Sequence, residues 1–184
     1  MITRKFFISV FALLLMAKVL PVAHSYAATA GEINAGIDAT LNELKGQVIG
    51  ASDTLAKAKG LLVFPSTWKA GITLGGQYGE GGLQVGSKVT DYYSIAGLSL
   101  GFQLGVQKQR VVLAFMSDEA LSRFQQGDGW EFGLDGSVAL IKIGFDGSVN
   151  SLTTNEPVIV FVVGQKGLMG ALTFEGYKLT RLKK

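Results

Sequence analysis

The chain contains no cysteine and a single histidine. Without cysteine it forms no disulfide and offers no thiol chemistry. The histidine, His24, lies in a leader-like start that is expected to be removed. The mature protein then has no histidine for a catalytic triad or for metal ligation. An apolar run long enough to span a bilayer as a helix is also lacking. Phe6 to Ala17 is apolar, but Lys18 ends it well short of the roughly 20 residues a spanning helix needs. Arg4 and Lys5 precede that run, and Ser25 and Ala27 place small side chains where a signal peptidase reads them. This is the layout of a secretory signal peptide over residues 1–27, cleaved after Ala27, with Ala28 and Ala30 as neighbouring alternatives. With no cysteine behind it, lipid modification of the new terminus is excluded.

An excess of positive charge is missing too, once the leader is gone. The full chain has 17 Lys and Arg against 14 Asp and Glu. Arg4, Lys5 and Lys18 leave with the leader and no acid does, so the balance becomes 14 against 14. A nucleic-acid-binding protein needs a basic footprint, and that class loses its support. What remains, about 157 of the 184 residues, suits one domain with a core of its own.

What is abundant is glycine, 25 residues, set among alternating apolar positions. Ile33, Ile37, Leu41, Leu44 and Val48 form one stripe and predict an amphipathic helix from Glu32 to Ile49, ended by Gly50. Ser52 is the expected cap of a second helix, Asp53 to Lys59. LLVFP reads as a buried strand stopped by Pro65. Ser117, Asp118 and Glu119 open a short helix that Gly127 stops. GLSLGFQLGVQ, residues 97–107, puts Leu98, Leu100, Phe102, Leu104 and Val106 on one face at period two, so it reads as strand. Its glycines are tolerated where another backbone comes close or where a sheet coils tightly. GGQYGEGG, residues 75–82, has no GK[ST] after it and reads as a hairpin connection, not a phosphate loop. The helices and strands do not alternate regularly. The expected fold is therefore α+β: a glycine-rich, largely antiparallel sheet of about eight strands curled into a barrel-like body, with N-terminal helices and one short helix inserted mid-chain.

Chemistry-bearing clusters are few. Asp135-Gly136 and Asp146-Gly147 read as turns, since a calcium loop needs more oxygen ligands nearby. They lie in two similar strand-turn units, GLDGSV and GFDGSV. Glu80, Asp128 and Glu131 have no spacing that defines a glycosidase pair. No enzyme and no cofactor is expected. Cations at strand ends and turns, Lys69, Lys88, Lys108, Arg110 and Lys166, form a candidate anionic-lipid footprint, with Trp68 as a side chain that dips into the interface. Residues 177–184, YKLTRLKK, add a basic, partly apolar tail.

Ala58-Lys59-Gly60, Val63-Phe64-Pro65, Lys69-Ala70-Gly71 and Gly75-Gly76-Gln77-Tyr78-Gly79-Glu80-Gly81 together resemble the signature of the SYLF domain family. Ser99, Gly101, Gln103, Gly105 and Gln107 are similar to its glutamine-glycine strand. Lys166-Gly167-Leu168, Ala171 and Glu175-Gly176 are similar to its closing motif. Met169 stands where an aromatic is common in the family, and Phe161-Val162-Val163 replaces a more polar approach to that motif. The resemblance implies a non-enzymatic domain that binds membranes, through phosphoinositides in eukaryotic members, with actin association in some relatives. The expected organisation is a signal peptide at 1–27, an N-terminal amphipathic helix at 28–51 and a SYLF-like lipid-binding domain at 52–184. The expected partner is an anionic phospholipid surface, met by a periplasmic or secreted protein; export argues against actin. An outer-membrane β-barrel and an envelope protein-interaction module are the competing readings.

Overall fold

The computed structural model describes residues 27–48, 50–71, 74–100, 105–127, 129–131, 139–142, 156–164 and 177–184. Three helices and eight strands occupy these residues. The helices are α1 (Ala30–Gln47), α2 (Ala51–Lys57) and α3 (Asp118–Gln126). The strands are β1 (Gly60–Gly71), β2 (Leu74–Val85), β3 (Lys88–Leu100), β4 (Gly105–Phe115), β5 (Gly129–Glu131), β6 (Ala139–Lys142), β7 (Val158–Gly164) and β8 (Lys178–Leu182).

Helix α1 begins two residues before the apolar stripe suggested. Thr29 is its cap: the side chain accepts from the Glu32 N–H, and Glu32 reaches back to the Thr29 backbone. At the other end the Val48 N–H closes on the Leu44 carbonyl, so the helix stops at Gln47. Gly50 does not end α1; it caps α2 instead, in a left-handed conformation (φ 84°) that glycine adopts without strain. Ser52, the expected cap, lies inside α2. Ser117 caps α3 as expected, accepting from the Ala120 N–H.

The strands form one sheet in the order β5-β8-β3-β2-β1-β4-β7-β6. Every neighbouring pair is antiparallel except β6 with β7. The fold is thus mixed α+β with a largely antiparallel sheet. The described ladder is open, with β5 and β6 as its edges, so the expected barrel-like closure does not appear in it.

Three sequence readings give way here. Pro65 does not stop β1. The strand runs through it because the register shifts there against both neighbours, and a bulge frees proline from the ladder hydrogen bond it cannot donate. GGQYGEGG is not a hairpin connection but the body of β2. A Cβ at Gly81 would stand 2.2 Å from the Val63 carbonyl oxygen, and one at Gly79 would stand 2.7 Å from that of Ser66. These glycines let β2 close against the β1 bulge, which is the close-approach role open to strand glycines. The turn is Gly86-Ser87, with Val85 and Lys88 paired across it and Gly86 at φ 62°. Lastly, residues 97–107 are not one strand. Gly97–Leu100 ends β3 and Gly105–Gln107 begins β4, on opposite sides of the β2-β1 pair. Alternation carries on across both, so period alone does not reveal the break.

Both faces of the central strands are buried. Leu62, Phe64, Val111, Leu113, Phe115, Val160 and Tyr93 pack on one side with Phe124 of α3. Val63, Val112, Ala114, Ile159 and Phe161 pack on the other against Ile33, Ile37, Leu41 and Leu44 of α1. Gly36 brings α1 onto Pro65, where a Cβ would stand 2.7 Å from the ring. No helix among the described residues is long and apolar enough to cross a membrane.

Candidate functional site

The face of the sheet that carries α1 is only partly covered by it. Past the Pro65 bulge, one register row runs Lys108 (β4), Trp68 (β1), Tyr78 (β2), Ala96 (β3) and Lys178 (β8). Partners in register point to the same face, so this is a single line of side chains across five strands. Trp68 is 52% exposed and Tyr78 49%. Leu98, at 76%, adjoins them in the next row, opposite Gly76. Glycine at 76 has open space where a side chain would be. These three are the exposed large apolar side chains among the described residues. Lys108, Ala96 and Lys178 are exposed as well.

The row has internal order. The Lys108 ammonium stands 5.4 Å from the Trp68 ring centroid, a cation–π distance that braces both side chains. The Tyr78 hydroxyl donates to Glu80 Oε1 at 2.9 Å. Burial and that carboxylate together raise the Tyr78 hydroxyl to about 12, so it remains a neutral donor. Burial opposes ionisation of Glu80, but Lys184, the Tyr78 hydroxyl and the Ala28 N–H outweigh it and hold its carboxyl below the usual range.

Of the residues read from the sequence, the structure brings Trp68 and Lys108 together. Lys88 leaves the Gly86-Ser87 turn, eight residues along β3 from Ala96, about 26 Å at ordinary strand rise. Arg110 lies on the covered half, where its guanidinium grips both Glu43 oxygens at 3.2 Å and ties α1 to β4. Lys69 occupies β1 in register with Gln77 and Gln107; its side chain lies outside the described residues, as do Lys166, Asp128, both Asp-Gly turns and the closing motif at 166–176. The basic tail is not loose. Residues 178–182 are β8, and Arg181 donates to the Tyr93 hydroxyl and the Gln125 carbonyl while pairing with Asp91.

Tyr78 and Leu98 were missed as members of this surface, while Lys178 belongs to the basic tail read from the sequence. Tyr78 was hidden because its segment reads as a turn. Leu98 reads as one of the apolar positions of an alternating strand, and alternation alone does not tell which face is wet. Lys178 needed the pairing of β8 with β3, a contact between residues 82 apart in sequence for Ala96 and Lys178.

Chemically, the row offers flat aromatic area with a cation at either end, and no nucleophile or metal cluster. Among the described residues no three His, Cys, Asp or Glu side chains gather as metal ligands. No curated protein matches the chain. The family model described as "Ysc84: Las17-binding protein actin regulator" matches residues 96–184. That stretch holds the glutamine-glycine and closing motifs, while the Ala58–Leu83 signature precedes it. Over residues 96–184 the chain therefore matches the Ysc84 family, the SYLF domain family its motifs resemble.

Proposed function

We propose that this chain is a non-enzymatic, exported domain that docks on an anionic phospholipid surface without spanning it, in the periplasm or outside the cell. The observation that carries the reading is the row Lys108, Trp68, Tyr78 and Lys178 with Leu98 beside it. Tryptophan and tyrosine have apolar bodies and polar tips, which suits the headgroup boundary. A lysine near an anionic leaflet contributes about 1 kcal/mol. Lys108 and Lys178 then meet phosphates while the rings and Leu98 enter the interface. Phosphoinositide-type headgroups fall within the same chemistry. The family description names Las17 binding and actin regulation; an exported protein does not meet cytoplasmic actin, so lipid is the function carried over here.

The central strands support this reading over a membrane-spanning barrel. On the Val63 side of the Pro65 bulge their two faces are spent on α1 and on the α3 side, so no lipid-facing band runs their full length.

Co-sedimentation of the processed protein with vesicles tests the proposal. Binding to phosphatidylglycerol-containing vesicles at low salt, lost at high salt and absent on phosphatidylcholine alone, is expected. Replacing Trp68 and Lys108 together with alanine abolishes it. Equal binding to neutral vesicles, or unchanged binding by the double variant, overturns the reading. Retention in the membrane pellet after carbonate extraction favours the spanning barrel instead.

A further inference from the structure

Among the described residues Glu80 is the most enclosed carboxylate in an ion pair, and what it holds is the backbone of Ala28. The Ala28 N–H donates to Glu80 Oε2 at 3.0 Å. Lys184 Nζ reaches the same oxygen at 2.7 Å and also donates to the Ala28 carbonyl. Tyr78 occupies the other oxygen. The side chains of Glu80 and Lys184 are only 9% and 11% exposed. One half-buried carboxylate thus holds a single peptide nitrogen at the start of the folded body.

That nitrogen follows the residue at which the leader is read to end. Ser25 and Ala27 offer the small side chains of a signal-peptidase site. Ala27 is exposed, and residues 27–29 lie in non-helical backbone. The Thr29–Glu32 capping box starts α1 one residue beyond Ala28, so the helix does not absorb the bond.

We propose that Glu80 is the receptor for a new amino terminus, formed when a signal peptidase hydrolyses the Ala27–Ala28 bond. Water supplies the atoms: its hydroxyl completes the Ala27 carboxyl, and its hydrogen goes to the Ala28 nitrogen, which then binds a further proton as an ammonium. An amide with one donor becomes an ammonium with three, at the position already aimed at Glu80 Oε2. The charged groups around it are Glu80, Lys184 and Glu32, with the Tyr78 hydroxyl neutral. Glu32 shares the field of Lys184, so two carboxylates face the two cations. Processing therefore converts an amide-to-carboxylate hydrogen bond into an ion pair and locks the start of α1 to β2. This does not depend on lipid binding.

The test uses the full chain, leader included, produced in an exporting bacterial host. Intact mass and terminal sequencing of the recovered protein are expected to show Ala28 first. Its α-amine is then labelled with an acylating reagent at pH 7.5, folded and in urea. The folded rate is expected to be about tenfold lower, the equivalent of one pKa unit at the amine. Glu80→Gln removes the protection while leaving the urea rate unchanged. A different first residue, or equal folded and unfolded rates, overturns the proposal; the second comparison needs no variant to fold.

Discussion

One face of one sheet is used in two ways. Above the Pro65 bulge, Val63, Val112, Ala114, Ile159 and Phe161 are sealed under the apolar stripe of α1. Below it, Trp68, Tyr78 and Leu98 stand in solvent between two lysines. The strands are the same and so is the face. What differs is whether the helix reaches, and Thr29 sets where the helix begins, beside Glu80. An apolar side chain on a sheet is therefore core or contact surface according to its cover. The covered half contributes stability, and the bare half is available for a partner.

The sharpest way to break that contrast is to empty the covered half. Leu44 is fully buried in the cluster that α1 shares with the sheet. Leu44→Ala is expected to cost about 2–5 kcal/mol by urea unfolding, since the lost burial is joined by a cavity. Vesicle binding per folded molecule stays unchanged. If Leu44→Ala costs no more than Leu98→Ala, the two halves do not differ as described.

The glycines of β2 give a second, smaller contrast inside one motif. Gly81→Ala forces a Cβ toward the Val63 carbonyl oxygen, where backbone rather than a flexible side chain must yield. Overpacking of this kind costs about 1–3 kcal/mol. Gly76 faces open space and its φ is not positive, so Gly76→Ala is neutral or stabilises by up to about 1 kcal/mol. Paired unfolding curves decide it; equal losses at both positions would show that strand entropy, not the bulge, explains the glycines.

Much of this was legible in the sequence, and the gaps have physical causes. The stripe Ile33, Ile37, Leu41, Leu44 marks α1 because 3.6 residues per turn leaves its imprint on any one-sided helix. LLVF and PVIVFVV mark strands buried on both faces for the same reason in reverse. Pro65 misled because its remedy, a bulge, depends on two neighbouring strands. The row Lys108–Trp68–Tyr78–Lys178 was half visible: Trp68 and Lys108 stand out as types, but their companions join only through register. Ala28 and Glu80 carry no local signal at all, being 52 residues apart.

Acid probes the boundary between the halves. Glu80 is held below the ordinary carboxylate range in the folded chain. A depressed folded pKa adds stability above the unfolded value and loses it as pH falls through the folded one. Unfolding free energy is therefore expected to drop as pH falls below about 4.5, the unfolded carboxylate range. Glu80→Gln flattens its share of that drop, leaving the share of Glu32, which its bonds to Thr29 also hold low. An identical acid slope in wild type and variant would mean the clasp around Ala28 is not charged in solution.

The smallest effect on stability belongs to the bare half and is the most informative. Trp68 forfeits one cation–π contact with Lys108, at an exposed site, when replaced by alanine. Such contacts contribute about 0.5–1 kcal/mol, and the ring's removal opens no interior cavity. Leu98, more exposed still, is expected to cost less than about 0.5 kcal/mol. Evolutionary economy gives no reason to leave a tryptophan, a tyrosine and a leucine uncovered for so little stability, so their value must lie in what they touch. Trp68→Ala and Leu98→Ala should each leave urea midpoints close to wild type while lowering anionic-vesicle binding severalfold. Stability losses matching that of Leu44→Ala would instead mean the row is packed in solution, against a second copy of the chain or against itself.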